Sequence, residues 1–169
     1  MARLADRLAQ RHHEDAGRAR LAGLFHDLAR LYPPHRLIAE CEERQLPLEA
    51  FERRYPVVLH ARLGAELARE RFGVDDQAIL SAIRKHTVAA AAMSRLDCVV
   101  YLADALEPGR AYPERAGLEA LAFRDLTGAM RAVLRSTLAY LAGRELEAAP
   151  QTLAALAAFE SLERSPLSA

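Results

Sequence analysis

The sequence predicts an all-α fold, a helical bundle without a sheet. Alanine, leucine, arginine and glutamate dominate while valine, isoleucine and threonine are sparse, so intrinsic propensity summed over long windows favours helix almost everywhere. Apolar residues recur at helical spacing, and the pattern breaks at prolines and glycines placed where helices start and stop.

Taken in order, a first helical segment ends at His12-His13, and both histidines read as surface residues, as does His35 in a proline-rich turn. From Arg18 the residues Leu21, Leu24, Phe25, Leu28 and Leu31 hold helical spacing until Pro33-Pro34, which cannot continue a helix. His26 and Asp27 are therefore expected mid-span, among core-like neighbours. A helix from Pro34 to about Arg44 follows, and Leu46-Pro47 turns the chain toward a short segment around Ala50 to Arg54. Pro56 starts a helix carrying His60, with Leu59, Leu63, Leu67 and Ala68 on one side and Gly73 as a left-handed C-terminal cap. Asp75 or Asp76 caps the next helix, whose inner face is Ala78, Ile79, Ala82 and Ile83 and whose end brings His86-Thr87 near a loop. Ser94 opens a strongly apolar helix that ends at Pro108-Gly109 and is expected to bury Asp104. Helices from about Asp125 to Gly143 and from about Pro150 to Leu162 complete the chain, with a polar tail after them.

With 169 residues and 51% hydrophobic content, the chain can bury a continuous core, so a single domain over 1–169 is expected. Twenty-three basic residues balance 23 acidic ones, leaving no long-range field to attract nucleic acid or an anionic membrane. An anionic ligand must be held locally. Cys41 and Cys98 lack CxxC spacing, so reduced, buried thiols are expected rather than a zinc knuckle or a disulfide. The N-terminus alternates charged and apolar residues and no apolar run approaches a membrane span, which places the protein in the cytoplasm. The alanine-rich terminal helices suit a homodimer.

Five residues carry the chemical signal. A buried ionised carboxylate is costly unless paired or metal-bound, and both Asp27, in LAGLFHDLAR, and Asp104, in VVYLADALEP, sit among apolar neighbours. His26 beside Asp27 can share a centre with it only above the helix between them. A metal meets that requirement. His60 and His86 each read equally as an ordinary histidine or as a ligand when taken alone, but the end-of-helix position of His86 lets a loop aim it and Thr87 at a phosphate. Imidazoles and carboxylates without thiolates suit iron, manganese, zinc or cobalt with open positions. Arg30, about one turn past His26-Asp27, and Arg110, just past Pro108-Gly109, are placed to face a phosphate.

The order His-Asp, His, His, Asp on successive helices resembles the HD-domain phosphohydrolases, and LAGLFHDLAR, LHARLGAELARERFGV, AIRKHT and VYLADALEPGR resemble the YqeK-type HD proteins, the symmetrical diadenosine tetraphosphate hydrolases of bacteria. The likeness spans nearly the whole chain. It implies an HD-domain bundle holding iron, as one metal or two, with His26, Asp27 and Asp104 as ligands. It further implies a dinucleoside polyphosphate or ADP as partner, held by Arg30, His60, His86, Thr87 and Arg110, with His60 and His86 open to a second metal instead. Arg30 stands where the family usually has lysine, and nucleoside contacts are expected near Glu147 to Thr152. Asp27, Asp104 and Arg30 are the expected catalytic residues, cleaving the tetraphosphate bridge to two ADP. The family's first metal histidine lies in an HSxRV-like string on the first helix, and this sequence begins just after that point. An upstream start at a GTG valine codon, with the first helix truncated here, is therefore expected. Another nucleotide substrate, or a silent nucleotide-binding module, would share the same ligand order.

Overall fold

Ten α-helices and one 3-10 turn build the computed structural model, which describes residues 1–164. They run as α1 (Ala2–Arg11), α2 (Ala16–Phe25), α3 (Pro34–Glu43), α4 (Ala50–Arg54), a 3-10 turn (Pro56–Val58), α5 (Leu59–Phe72), α6 (Gln77–Lys85), α7 (Arg95–Ala105), α8 (Arg115–Arg124), α9 (Leu126–Ala142) and α10 (Pro150–Arg164). No strand occurs among the described residues. The polar tail expected after the last helix lies outside them.

Side-chain caps fix several helix starts by satisfying amide groups that have no partner inside the helix. Asp15 accepts from the Arg18 amide, Asp76 from Ala78 and Ile79, and Asp125 from Gly128. Ser94 and Asp97 form a reciprocal capping box at α7, and Glu49 with Glu52 does the same for the short α4. Gly73 ends α5 in the left-handed conformation, as expected.

Two apolar clusters meet along α5. Ala65 and Ala68 face the larger one, which gathers residues from α1, α2, α6, α7, α8, α9 and α10, while Leu59, Leu63 and Leu67 face a smaller one with Ala29, Leu37 and Cys41. Helix α1 packs on α2 and α7. The α1–α2 crossing is close enough that a Cβ at Gly23 would lie 2.9 Å from the Ala2 Cα. Helix α7 runs through the middle of the larger cluster, with Leu96, Val99, Val100, Leu102 and Ala103 all buried.

The structure corrects four expectations. Helix α2 stops at Phe25, so His26 is its C-cap and Asp27 to Arg30 continue as tight turns, with the Leu28 amide bonded to Phe25 O and Arg30 to Asp27 O. The Gly23 carbonyl, which an unbroken helix would offer to the Asp27 amide, accepts from the His26 ring instead. The neighbours are also less core-like than their spacing suggested: Leu24 is exposed and Leu31 is 94% exposed. Nor is Asp104 enclosed by the α7 core; it lies in the last turn, partly open to the site. Finally, His12 is not a surface residue but 8% exposed, its Nε2 2.6 Å from Ala122 O. Its cover is α8, a helix the sequence reading did not anticipate.

Candidate metal and phosphate site

Three histidines are aimed by the same local device. In each, Nδ1 donates to the carbonyl three residues earlier: His26 to Gly23 at 2.9 Å, His86 to Ile83 at 2.8 Å, and His60 to Val57. A carbonyl only accepts, so each Nδ1 carries a proton, and each Nε2 is a free lone pair while its ring is neutral and a donor when the ring is charged. His26 and His86 are the C-caps of α2 and α6, and His60 lies in the first turn of α5. The backbone at three helix ends therefore sets three imidazoles.

All three Nε2 atoms converge on Asp27. The distances are 3.2 Å from His26 to Oδ2, 3.3 Å from His60 to Oδ1 and 3.7 Å from His86 to Oδ1. The Asp27 side chain is 44% exposed, which corrects the expectation of a buried carboxylate. Its one open side faces the cavity. Desolvation opposes its charge, but hydrogen bonds that His26, His60 and His86 donate from Nε2 in their charged form outweigh this and hold its pKa well below the usual carboxylate range. Desolvation likewise works against charge on His26, yet the hydrogen bond and charge of Asp27, with the charge of Asp104, raise its pKa. For the more deeply buried His86, desolvation wins and the pKa falls.

His60 and His86 bring their Nε2 atoms to 3.2 Å of each other, with the Thr87 hydroxyl 3.1 Å from the first and 3.0 Å from the second. Two neutral rings protonated at Nδ1 have no proton to place between those nitrogens, and one hydroxyl can satisfy only one of them. Positive charge is what the cluster lacks. Ligand atoms of His26, Asp27 and His86 lie within 4.8 Å of one another, and the donor set of imidazole and carboxylate suits a borderline divalent ion. Thiolates play no part: Cys41 and Cys98 are buried and free, with burial pushing their thiols up to about 11 and about 12.

Asp104 stands at the edge of this group. Its Oδ1 is 3.8 Å from His26 Nε2, but both carboxylate oxygens contact one guanidinium nitrogen of Arg110, at 2.7 and 2.8 Å, and Arg110 Nε donates to Asp104 O at 2.7 Å. Arg30 lines the same cavity and forms no ion pair among the described residues. That cavity, about 280 Å3, is bounded by Asp27, Arg30, His60, His86, Thr87, Asp104 and Arg110, together with Val57, Tyr101, Ala105 and Thr137. The last four went unnoticed in the sequence. Tyr101 had a signal, since it sits one turn before Asp104 on the same face of α7; Thr137 on α9 had none.

The stretch from Glu147 to Thr152 is divided. Glu147 pairs with Arg54 at the surface, Gln151 lines a neighbouring cavity of about 300 Å3, and Thr152 Oγ1 donates to Val88 O at 2.9 Å, tying α10 to the loop that carries Thr87.

Residues 1–109 match the HD domain family model. A Bacillus subtilis protein named symmetrical bis(5'-nucleosyl)-tetraphosphatase is 33% identical over 145 residues, covering 86% of this chain and 77% of that protein. A Mycoplasma genitalium protein named as a probable nicotinate-nucleotide adenylyltransferase/Ap4A hydrolase is 39% identical over 117 residues, covering 68% of this chain and 32% of its own. A crystal structure from Clostridium acetobutylicum, described as a predicted HD superfamily hydrolase involved in NAD metabolism, superposes with a TM-score of 0.92 at 32% identity, covering 95% of this chain and 85% of that one.

Proposed function

The chain belongs to the HD domain family, and from that premise we propose that it is a metal-dependent phosphohydrolase that cleaves diadenosine tetraphosphate symmetrically to two ADP. The observation that carries this reading is the convergence of three imidazole Nε2 atoms on the Asp27 carboxylate in a cavity that also presents Arg30 and Arg110. Membership of the family implies a divalent metal, and the His/Asp group fits one. We assign it as iron, with manganese, cobalt or zinc as alternatives. His26, Asp27 and Asp104 are its ligands in this reading, and His60 and His86 serve either a second ion or the phosphates. Such an ion supplies Lewis acidity, acidifying water and neutralising charge on phosphoryl oxygens.

The chain's own residues supply position and charge. Asp27, ionised across the physiological range, anchors the histidine cluster, and in this reading Asp104, 3.8 Å from His26 Nε2, orients a water molecule for attack. Attack on a phosphorus in the middle of the bridge forms one P–O bond and breaks another, so one water and one dinucleotide become two ADP. Arg30 and Arg110 stabilise the charge that develops on the phosphate oxygens, and the Thr87 hydroxyl offers a neutral hydrogen bond beside them. A cavity of about 280 Å3 lies at the small end of ligand sites, which suits one half of a symmetric substrate.

No helix among the described residues is long and apolar enough to cross a membrane. The cytoplasm is the compartment we assign, where buried thiols such as Cys41 and Cys98 persist reduced. A homodimer through the C-terminal helices, where Tyr140 and Leu153 are exposed, belongs to the same proposal and is checked by light scattering. The reaction itself is tested by product analysis with iron or manganese present. ADP as the sole nucleotide product is expected; AMP with ATP, or turnover of nucleoside monophosphates in preference, would reject the symmetrical assignment.

A further inference from the structure

Arg110 and a metal ion compete for one carboxylate. A single guanidinium nitrogen of Arg110 lies 2.7 and 2.8 Å from the two oxygens of Asp104, and Nε is fixed to the main-chain carbonyl of the same residue. The same carboxylate faces His26 Nε2 at 3.8 Å, and so it touches both the histidine cluster and Arg110. A divalent ion drawing on Asp104 withdraws electron density from the oxygens that Arg110 uses, and two cations sharing one carboxylate repel each other. Arg110 then lacks a counter-charge in a partly enclosed cavity, where that lack is costly. An anion in the cavity can supply it, because the guanidinium has donors beyond those turned to Asp104.

We propose that Arg110 is a substrate-binding residue that exchanges Asp104 for a substrate phosphate, so that metal and phosphate binding are positively coupled. This rests on the reading of the cluster as a metal site facing a phosphate site. Without either ligand, Arg110 holds Asp104 and keeps the α7 end and the following segment in place. With both, Asp104 turns to the ion and Arg110 to the anion. Coupling of this kind is reciprocal: the anion raises metal affinity by the factor by which the metal raises anion affinity. Arg30, which has no ion pair among the described residues to exchange, contributes anion affinity without that coupling.

The test is calorimetric titration of the full chain with Mn2+ in the presence and absence of sulfate, a tetrahedral dianion that complexes free Mn2+ weakly, at constant ionic strength. Wild type is expected to bind Mn2+ about 5- to 50-fold more tightly with sulfate, within the usual range of coupled sites. Arg110→Gln is expected to bind Mn2+ more tightly than wild type when sulfate is absent, and to lose the sulfate effect. Arg30→Gln is expected to need more sulfate but to reach the same enhancement. Loss of a structural arginine would lower metal affinity, so a gain in Arg110→Gln distinguishes exchange from support. Equal Mn2+ affinity with and without sulfate in wild type would overturn the coupling while leaving the metal site standing. Absence of Mn2+ binding under both conditions would overturn the metal site itself, and the coupling with it.

Discussion

The Nε2 atoms of His60 and His86 face each other at 3.2 Å while both rings are held in the Nδ1-protonated form by backbone carbonyls. Two lone pairs so placed repel unless a cation or a proton lies near them. Mn2+ or Fe2+ is therefore expected to raise the melting temperature of the protein, since a ligand that binds only the folded state stabilises it. A chelator should reverse the rise. In His86→Gln the metal-induced rise should shrink, with metal affinity down about 10- to 100-fold; a rise equal to that of wild type would argue that His86 serves no ion.

Asp27 sets the charge on His26. Burial opposes the imidazolium, and the hydrogen bond and charge of Asp27, joined by the charge of Asp104 and the Gly23 carbonyl, outweigh it and raise the His26 pKa above its ordinary 6.5. A raised folded value stabilises the native state fully below the unfolded pKa, and that contribution is lost as pH rises through the folded one. In metal-free Asp27→Asn the His26 pKa should drop, read directly from the imidazole proton shifts in an NMR titration. An unchanged His26 titration would mean that the pair contact is not made in solution. The same variant should lose activity by at least about 100-fold, because the cluster loses its central anion.

Gly23 allows α1 to cross α2 at contact distance. The 2.9 Å approach of a Cβ to the Ala2 Cα leaves the backbone to move, not a flexible side chain. Gly23→Ala should destabilise the fold by about 1–3 kcal/mol through overpacking, measured by urea unfolding. Metal affinity should fall with it, since the Gly23 carbonyl orients His26. A neutral effect on both would show that the crossing adjusts freely.

The thiols respond to alkali in a defined direction. Burial holds Cys41 at about 11 and, with the adjacent Asp97, Cys98 at about 12, against an ordinary 9.0. Above pH 9 the unfolded chain sheds these protons before the folded one, so stability is intact below pH 9 and declines as pH climbs toward 11–12. Replacing both cysteines by alanine should flatten that decline, whatever the absolute stability of the variant. An unchanged slope would assign the alkaline loss to other groups.

Lys85 is the counterion of Asp97, whose side chain is 1% exposed. Lys85→Met leaves that carboxylate in the core with only the Ser94 amide for company at the same oxygen. A loss of roughly 3–5 kcal/mol is expected on removal of one partner from a buried pair, read from denaturant midpoints. A loss below about 1 kcal/mol would place the pair in the class of exposed ion pairs.

Much of this was legible in the sequence because helix signals are local. Caps at Asp76, Ser94 and Asp125, the stop at Gly73 and the apolar faces of α5, α6 and α7 follow from residues within a turn or two of each other. The order of His26, Asp27, His60, His86 and Asp104 was also readable, since polar residues amid apolar ones require an explanation. What escaped depends on particular side-chain contacts. Helix α8 encloses His12 from 110 residues away, a contact that neither segment's own sequence announces, while the His26 ring taking the Gly23 carbonyl and Arg110 folding back on Asp104 are local contacts that propensity and spacing do not encode. The exposure of Asp27 escaped for a related reason, because helical spacing assigns faces only while the helix lasts, and α2 ends one residue before the pair.

The hydrogen bond from Thr152 to Val88 reaches from the first turn of the last helix to the loop beside the chemistry. Thr152 lies 42 residues after Arg110 in the sequence, so His26, Asp27, His60, His86, Asp104 and Arg110 all precede the residue that fastens that loop. A version cut before Pro150 should therefore stay helical by circular dichroism while the turn at Thr87 exchanges its amide protons faster.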